Sequence, residues 1–221
     1  AESVRRGHPD KPCDLIADSI LDECLRHDRY SRCACEVMAT RGKIFVCGEI
    51  TCAAKINIRS VVRKVLRKVG YNPMKFIVFV YVHRQSPDIA GGVDSALEVR
   101  NSGSEDVFAT TGAGDQGIMF GYAEKEHGFD SEYMPLAVWL ANRLLENLRQ
   151  ASLPGLEPDA KSQITLEYND RNEVVGIRSV VLSAQHRAGL STGEIREKIM
   201  PVIRQSLPAE LLTSRTEYLI N

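Results

Sequence analysis

The feature that most constrains this chain is an order of elements, helix, hairpin, helix and strand, that occurs twice along its 221 residues. In the first copy, Lys11–His27 carries apolar residues at helical spacing, behind a possible cap at Asp10. The rest of that copy is predicted as a hairpin of Cys33–Ala39 with Lys43–Ile50, a helix over Asn57–Val69 ended by Gly70, and a strand over Phe76–Val82. Because Phe76–Val82 is almost entirely apolar, we expect a central strand buried on both faces.

The second copy starts at Pro135–Arg149, where Leu136, Leu140, Leu144 and Leu148 form one apolar stripe. It continues with a hairpin of Ser162–Tyr168 and Glu173–Ala184, a helix that opens with a capping box at Ser191-x-x-Glu194 and that Pro201 should kink or end, and a last strand over Thr216–Ile220. Between the copies, Met119–Ala123 is predicted as a short strand. The pattern predicts a duplicated two-layer architecture of mixed α/β or α+β class.

Composition narrows the class of protein without naming a function. The chain has 28 Lys+Arg against 29 Asp+Glu, a formal net charge of -1, and 43% hydrophobic residues, which excludes disorder and a fibre. That charge gives no bulk electrostatic reason to expect nucleic acid. No apolar run approaches the roughly 18–20 residues that span a bilayer, so no membrane partner is expected.

All six cysteines fall in the first quarter of the chain, at 13, 24, 33, 35, 47 and 52. The first residues lack the apolar core of a signal peptide, and a cytoplasmic, reducing location is therefore expected. A zinc site from Cys33, Cys35, Cys47 and Cys52 is conceivable, but two alternating strands explain the same spacing.

Two short motifs place chemically useful groups where structure does not require them. Gly7-His8-Pro9-Asp10-Lys11 puts an imidazole, a carboxylate and an ammonium at a helix N-terminus, which suits an anion, or a magnesium ion bound by Asp10, but also a plain cap. In Pro158-Asp159-Ala160-Lys161, the lysine is either a point charge for phosphate or an exposed residue of a strand edge.

Residues 83–115 are rich in glycine, serine and aspartate and show little periodicity, so they form either a functional loop or a disordered one. The segment starting at Gln85-Ser86-Pro87-Asp88-Ile89 follows a strand directly, where α/β sheets place ligand-binding loops. Gly112–Gly117, which includes Asp115, allows close approach of backbone to a ligand or makes a tight turn.

Charged residues in two further places have an open interpretation. Glu36 and Glu49 interrupt apolar strands, where a carboxylate is costly unless it is paired, bound to a metal, or on a wet face. The helix over Asn57–Val69 carries Arg59, Arg63, Lys64, Arg67 and Lys68, which we interpret as its solvated face.

Taken together, five separated motifs resemble those of the S-adenosylmethionine synthetase family, in order and in rough spacing, over Glu2 to Asn221. They are Gly7-His8-Pro9-Asp10-Lys11, Gly48-Glu49-Ile50-Thr51, Gln85-Ser86-Pro87-Asp88-Ile89, Gly112-Ala113-Gly114-Asp115-Gln116-Gly117 and Pro158-Asp159-Ala160-Lys161-Ser162-Gln163.

The resemblance implies an enzyme, methionine adenosyltransferase, that makes S-adenosylmethionine from ATP and L-methionine and hydrolyses the released triphosphate to phosphate and pyrophosphate. It implies magnesium and potassium as cofactors. It also implies three similar, intertwined α/β domains, and a homo-oligomer, a dimer or a dimer of dimers, with its active site between subunits.

The resemblance also assigns roles to residues. His8 and Lys161 would be catalytic, and ATP would be bound by His8, Asp159, Ala160 and Lys161. Methionine would be held by Glu49, Gln85 and Asp115, magnesium by Asp10, and potassium by Glu36. The mobile lid would comprise residues 85–95, among them Gln85, Ser86, Pro87, Asp88, Ile89 and Asp94.

This chain departs from the family pattern in two respects. Arg5-Arg6 stands where the family has Thr-Glu, which would change the charge at the edge of the site. The family also continues past the point where this chain stops, with further phosphate- and metal-binding segments. We therefore expect residues 1–6 with 125–221 to form one complete lobe, 7–95 an incomplete second lobe, and 96–124 the lid end with a fragment of a third.

Activity of this chain alone is accordingly expected to be weak or absent. Two other functions remain open at the level of sequence. One is a non-catalytic truncated paralogue that acts as a partner subunit, and the other is a simple ATP-binding module.

Overall fold

The computed structural model describes residues 1–86, 101, 117–126 and 128–221. The chain divides into two compact units. Unit 1 comprises Ala1–Pro12, Val69–Tyr71 and Tyr122–Asn221, and unit 2 comprises Cys13–Lys68 and Asn72–Gly121.

The described elements follow one another in an order that repeats. They are β1 (Glu2–Val4), α1 (Asp10–His27), β2 (Arg32–Thr40), β3 (Lys43–Thr51), α2 (Ile58–Val69), a 3₁₀ turn (Pro73–Lys75), β4 (Ile77–His83), α3 (Leu136–Ala151), β5 (Leu156–Tyr168), β6 (Val174–His186), α4 (Thr192–Ser206), a second 3₁₀ turn (Ala209–Leu211) and β7 (Glu217–Ile220).

Unit 2 contains a three-stranded sheet in the order β2-β3-β4, with β2 and β3 antiparallel and β3 and β4 parallel. Its fully buried side chains come from the helices, such as Ile16 of α1 and Leu66 of α2, and from the inner face of β3, such as Val46. The core of this unit therefore lies between the helices and one face of the sheet.

The other face of that sheet, here called the outer face, exposes several large apolar side chains. Met38, Ile77 and Tyr81 are 62, 60 and 61% exposed, and the rings of Phe45 and Phe79 stack with centroids 4.8 Å apart. The register places all five side chains on the same side, because paired residues of neighbouring strands share a face.

The outer face explains why the prediction for Phe76–Val82 was wrong. Within the described residues, β4 is an end strand, with β3 beside it. Its sequence is apolar on both faces for two different reasons: one face contributes to the core, and the other belongs to the exposed outer face.

Unit 1 contains a four-stranded sheet in the order β1-β5-β6-β7, in which β6 and β7 are parallel and the other pairs are antiparallel. The predicted stripe of Leu136, Leu140, Leu144 and Leu148 is fully or almost fully buried in its core. The capping box of α4 is present, with Glu194 donating its backbone N–H to Ser191 Oγ and accepting from the Ser191 N–H.

Pro201 does not end α4, which continues to Ser206. Ile199, Val202 and Ile203 lie in the core on either side of it, and this burial offsets the lost hydrogen bond.

The predicted repeat is confirmed in topology as well as in order. In both units a hairpin is followed by a helix and then by a strand that lies parallel to the second hairpin strand, β4 beside β3 and β7 beside β6. The mixed α+β class is therefore confirmed, whereas Met119–Ala123 forms no strand. The division into three lobes stays a prediction.

Candidate functional site

Two of the sequence motifs meet in unit 1 because Gly7 lies against Pro158. A Cβ atom on Gly7 would lie 2.5 Å from the carbonyl carbon of Pro158, which leaves no room for any side chain at this position. The Arg5 N–H donates to the Ala160 carbonyl over 2.7 Å, and Val4 pairs with Lys161. The β1–β5 pairing thus brings the segment of His8 to the segment of Asp159.

Tyr71 holds the same junction from a third segment. Its hydroxyl donates to the Gly7 carbonyl oxygen over 2.6 Å. Burial, followed by the nearby Asp159 and Glu157 carboxylates, raises the pKa of Tyr71 to about 12. The phenol therefore stays protonated and can donate throughout the physiological range.

Beside this junction lies an open cavity of about 640 Å³, and the four residues predicted to bind ATP line it together: His8, Asp159, Ala160 and Lys161. The structure therefore unites two motifs that are about 150 residues apart in sequence. The lining also includes residues that the sequence analysis missed, namely Ser183, Gln185, His186, Thr192 and Asn221. Ser183 lies opposite Lys161 in the hairpin, but two register shifts nearer the turn produce this pairing, so the hairpin pattern alone does not reveal it.

His8 leaves one polar atom without a hydrogen bond. Its Nδ1 is buried and unpartnered in the described part of the chain, and the nearest carboxylate oxygen, from Asp10, is 3.8 Å away. Such an atom is costly in a finished structure, so it marks a position for a ligand atom or a water. Asp10 itself projects outward, with 88% of its side chain exposed.

Lys161 and Asp159 differ in their surroundings. The Lys161 ammonium forms an ion pair of 2.9 Å with Glu2, and both side chains are about half exposed. Burial raises the pKa of the Asp159 carboxyl, and His8 partly offsets the shift. The cavity thus contains a cation at its surface, Lys161, whose ion pair with Glu2 a ligand can replace, and a partly buried hydrogen-bond acceptor, Asp159.

The residues predicted to bind methionine lie in unit 2. Glu49 sits near the end of β3, paired with His83, and Gln85 follows β4 two residues later. Gly48 beside Glu49 adopts a left-handed φ of +131°, and a Cβ there would lie 2.1 Å from the Ala34 carbonyl oxygen. This geometry explains why the Gly48-Glu49 motif needs glycine.

Glu36 and Glu49 both lie on the outer face, where Glu36 is exposed and Glu49 half buried. Burial therefore does not force either carboxylate to pair or to bind a metal, which favours the wet-face interpretation. The ligand roles of Glu36 and Glu49 stay predictions. Within the described residues, no group of three or more His, Cys, Asp or Glu side chains could hold a metal ion.

A single carboxylate at Asp10 nevertheless fits magnesium, which usually takes one or two carboxylates and completes its shell with phosphate oxygens and water. A single carboxylate at Glu36 supplies only part of a potassium shell.

Several predicted residues lie outside the described ones: Asp115, and Pro87, Asp88, Ile89 and Asp94 of the predicted lid. Gln85 and Ser86, at the start of that lid, are described and half buried. None of the described helices is long and apolar enough to cross a bilayer.

Arg5, which with Arg6 departs from the family pattern, is not among the residues that line the cavity, and its side chain has a structural role. Its Nη1 donates to the Glu157 carbonyl oxygen over 3.1 Å. Burial lowers the pKa of the Arg5 guanidinium, and Arg149 adds to that shift. Arg5 therefore braces the start of β5.

Comparison with known proteins places these features in one family. Residues 1–87 match the model of the S-adenosylmethionine synthetase N-terminal domain, and residues 110–221 match that of the central domain. Similar curated proteins are the S-adenosylmethionine synthases of Desulforudis audaxviator, 43% identical over 233 residues, Petrotoga mobilis, 42% over 238, and Brachyspira hyodysenteriae, 43% over 233.

Each alignment covers 100% of this chain but only 58 or 59% of the relative. The chain thus spans less than two thirds of the length of these relatives. With two family models covering most of its length and its predicted nucleotide residues around one cavity, the chain belongs to the S-adenosylmethionine synthetase family.

Proposed function

We propose that the protein transfers the adenosyl group of ATP to L-methionine and forms S-adenosylmethionine, phosphate and pyrophosphate. The observation that carries this proposal is the convergence of His8, Asp159, Ala160 and Lys161 on one open cavity. Its volume of about 640 Å³ falls within the range of small-molecule sites.

In the proposed reaction, a lone pair of the methionine sulfur attacks the ribose C5′ carbon. A sulfur–carbon bond forms, the C5′–oxygen bond breaks, and its electron pair leaves with triphosphate. Because the thioether is already a nucleophile, no serine, cysteine or base has to activate it. The protein must align the three reacting atoms and stabilise a strongly negative leaving group.

Lys161 and His8 suit the second task. Both line the cavity, and Lys161 can donate three hydrogen bonds to phosphate oxygens once it leaves Glu2. Water then cleaves the triphosphate, adding hydroxyl to one phosphorus atom and a proton to the other product.

We propose Asp10 as a magnesium ligand and Glu36 as a potassium ligand. Magnesium would supply charge neutralisation for the phosphates. The exposure of Asp10 supports its proposed role as a magnesium ligand, since a magnesium ion bound to the nucleotide can reach an outward-facing carboxylate. Glu36 lies on the outer face, where further ligands could come from another chain.

For methionine we propose Glu49, Gln85 and Asp115, with residues 85–95 as a lid. Support comes from the positions of Glu49, near the carboxyl end of β3, and Gln85, two residues after the carboxyl end of the parallel strand β4. A carboxylate there can accept hydrogen bonds from the α-ammonium group of the amino acid.

We propose further that the protein is a homo-oligomer, a dimer or a dimer of dimers, in the cytoplasm. The outer face supports self-association, since Met38, Ile77 and Tyr81 form with Phe45 and Phe79 a contiguous apolar surface, and such surfaces mark interaction sites. All six cysteines are free thiols, in keeping with a reducing compartment.

Turnover of ATP and methionine by the intact protein, with magnesium and potassium present, tests the proposal. Replacement Lys161→Met should lower kcat/KM about 100-fold or more, the scale seen when one charge-stabilising donor is lost. The matched control Lys64→Met, on the exposed side of α2, should leave kcat/KM unchanged.

Undiminished turnover by the Lys161 variant would contradict the proposal. We also propose that the 221-residue chain is weakly active or inactive alone, because it spans 58% of its relatives, and vigorous turnover by it would contradict that part.

A further inference from the structure

The cavity holds a second histidine, which lies outside the five motifs of the sequence analysis. His186, the last residue of β6, lines the cavity together with His8, Asp159 and Lys161. In β5, Leu156 pairs with His186 and Ala160 pairs with Ala184, and the register shifts between these two pairs. Asp159 lies within this irregularity, which brings it to the same part of the sheet as His186.

The backbone sets the tautomer of this histidine. His186 Nδ1 lies 3.0 Å from the Ala184 carbonyl oxygen. A carbonyl can only accept, so Nδ1 carries the proton and donates it. In the neutral ring, Nε2 is then left with a lone pair and acts as an acceptor.

The polar groups of the cavity can be sorted by what they offer. The Lys161 ammonium is only a donor, whereas the Asp159 carboxylate and His186 Nε2 are acceptors. The phosphates of ATP near neutral pH have acceptor oxygens and no hydrogen to donate. The nucleoside has donors, namely the exocyclic amine of the base and the two ribose hydroxyls. An acceptor of the cavity can therefore pair with the nucleoside and not with phosphate.

From this sorting we infer that His186 binds the nucleoside part of ATP, accepting a hydrogen bond at Nε2, and so separates the nucleoside end of the cavity from the phosphate end at Lys161. The inference rests on the proposed function, because it takes ATP as the occupant. His186 is exposed, so its side chain is free to meet a ligand and its replacement should not disturb folding.

Two ligands distinguish the nucleoside from the phosphates: ATP, and inorganic tripolyphosphate, each with magnesium, titrated calorimetrically into the intact protein. His186→Ala should weaken ATP binding about three- to tenfold, the worth of one hydrogen bond, and leave tripolyphosphate binding within about twofold. His186→Gln should restore most of the ATP affinity, because its amide oxygen can accept in place of Nε2.

Two control variants show what loss of a phosphate contact and loss of an unrelated histidine do to the binding of ATP and tripolyphosphate. Lys161→Met should weaken both ligands, since it removes a donor to phosphate. His27→Ala, which removes an exposed histidine of α1, should weaken neither. Thermal unfolding of each variant checks that the fold is intact.

The inference is overturned if His186→Ala weakens both ligands equally or weakens neither, or if His186→Gln behaves like His186→Ala. A native protein that binds tripolyphosphate but not ATP also overturns it. Failure to bind either ligand would instead overturn the proposed function, and the inference with it.

Discussion

The Tyr71 hydroxyl donates a 2.6 Å hydrogen bond to the carbonyl oxygen of Gly7 and so joins the end of α2 to the motif that carries His8. Gly7 in turn lies against Pro158, the residue that directly precedes the Asp159–Lys161 segment of the cavity lining. The geometry of the candidate site thus depends on contacts made by residues without a chemical role of their own.

Tyr71→Phe should lower the free energy of unfolding by about 1 kcal/mol at neutral pH, the usual worth of one hydrogen bond. The pKa of Tyr71 is raised from 10.0 to about 12, so the folded state favours the neutral phenol. Its contribution is therefore complete below about pH 10 and is lost as the pH rises towards 12. Urea titrations of both proteins from neutral to alkaline pH measure the difference, which should shrink above about pH 10. A constant difference would show that the hydroxyl does not titrate as described.

Gly7→Ala should cost about 1–3 kcal/mol, towards the upper end, because the clashing atoms belong to the Pro158 backbone and cannot rotate away. ATP affinity should fall as well, since the two motifs would separate. The control is Gly193→Ala in α4, where the nearest atom is 3.9 Å away and stability should hold or rise slightly. Chemical denaturation measures the free energy of unfolding of both variants. Equal values for the two would argue against the close contact of Gly7 with Pro158.

Gly48→Ala should destabilise unit 2, because the new Cβ would lie 2.1 Å from the Ala34 carbonyl oxygen and because φ is +131°. The β2–β3 pairing would have to shift, and Glu49 would move with it. Hydrogen exchange should therefore show faster exchange of amides in Arg32–Thr40 and Lys43–Thr51. Unchanged protection of these strands would contradict the expectation.

Met38→Asp should weaken self-association of the intact protein at least tenfold while leaving its unfolding transition almost unaltered, because Met38 is 62% exposed and contributes little to the core. Met74→Asp is the matched control, being 81% exposed on a 3₁₀ turn. Sedimentation velocity measures the self-association of the two variants and of the unaltered protein. Identical sedimentation of all three proteins would exclude the outer face as the association surface.

Local pattern was sufficient for most of the elements. The stripe of Leu136, Leu140, Leu144 and Leu148 and the capping box at Ser191 and Glu194 are signals carried within a few turns of chain, so the helices they indicate form where expected. The existence of the β5–β6 hairpin is likewise a local signal, since a short turn joins its strands, but two register shifts between the turn and Lys161 decide that Ser183 lies opposite Lys161.

Predictions about burial were less successful, because the sequence does not show which face of a strand will be covered. The pattern of Phe76–Val82 predicts burial on both faces, whereas for Glu36 and Glu49 the pattern leaves pairing, a metal ion and a wet face open. All three depend on the outer face, whose exposure follows from the order of strands and the side on which the helices pack.

By itself, the sequence determined the repeated helix–hairpin–helix–strand order, the class of fold and, through its separated motifs, the family. Only the tertiary structure decided that His8 meets Asp159 and Lys161, that His186, Thr192 and Asn221 join them, and that Glu36 faces outward. The physical reason is range. Periodicity and caps act over a few residues, whereas the cavity arises where β1 pairs with β5 and where a backbone without a side chain at Gly7 can lie against Pro158.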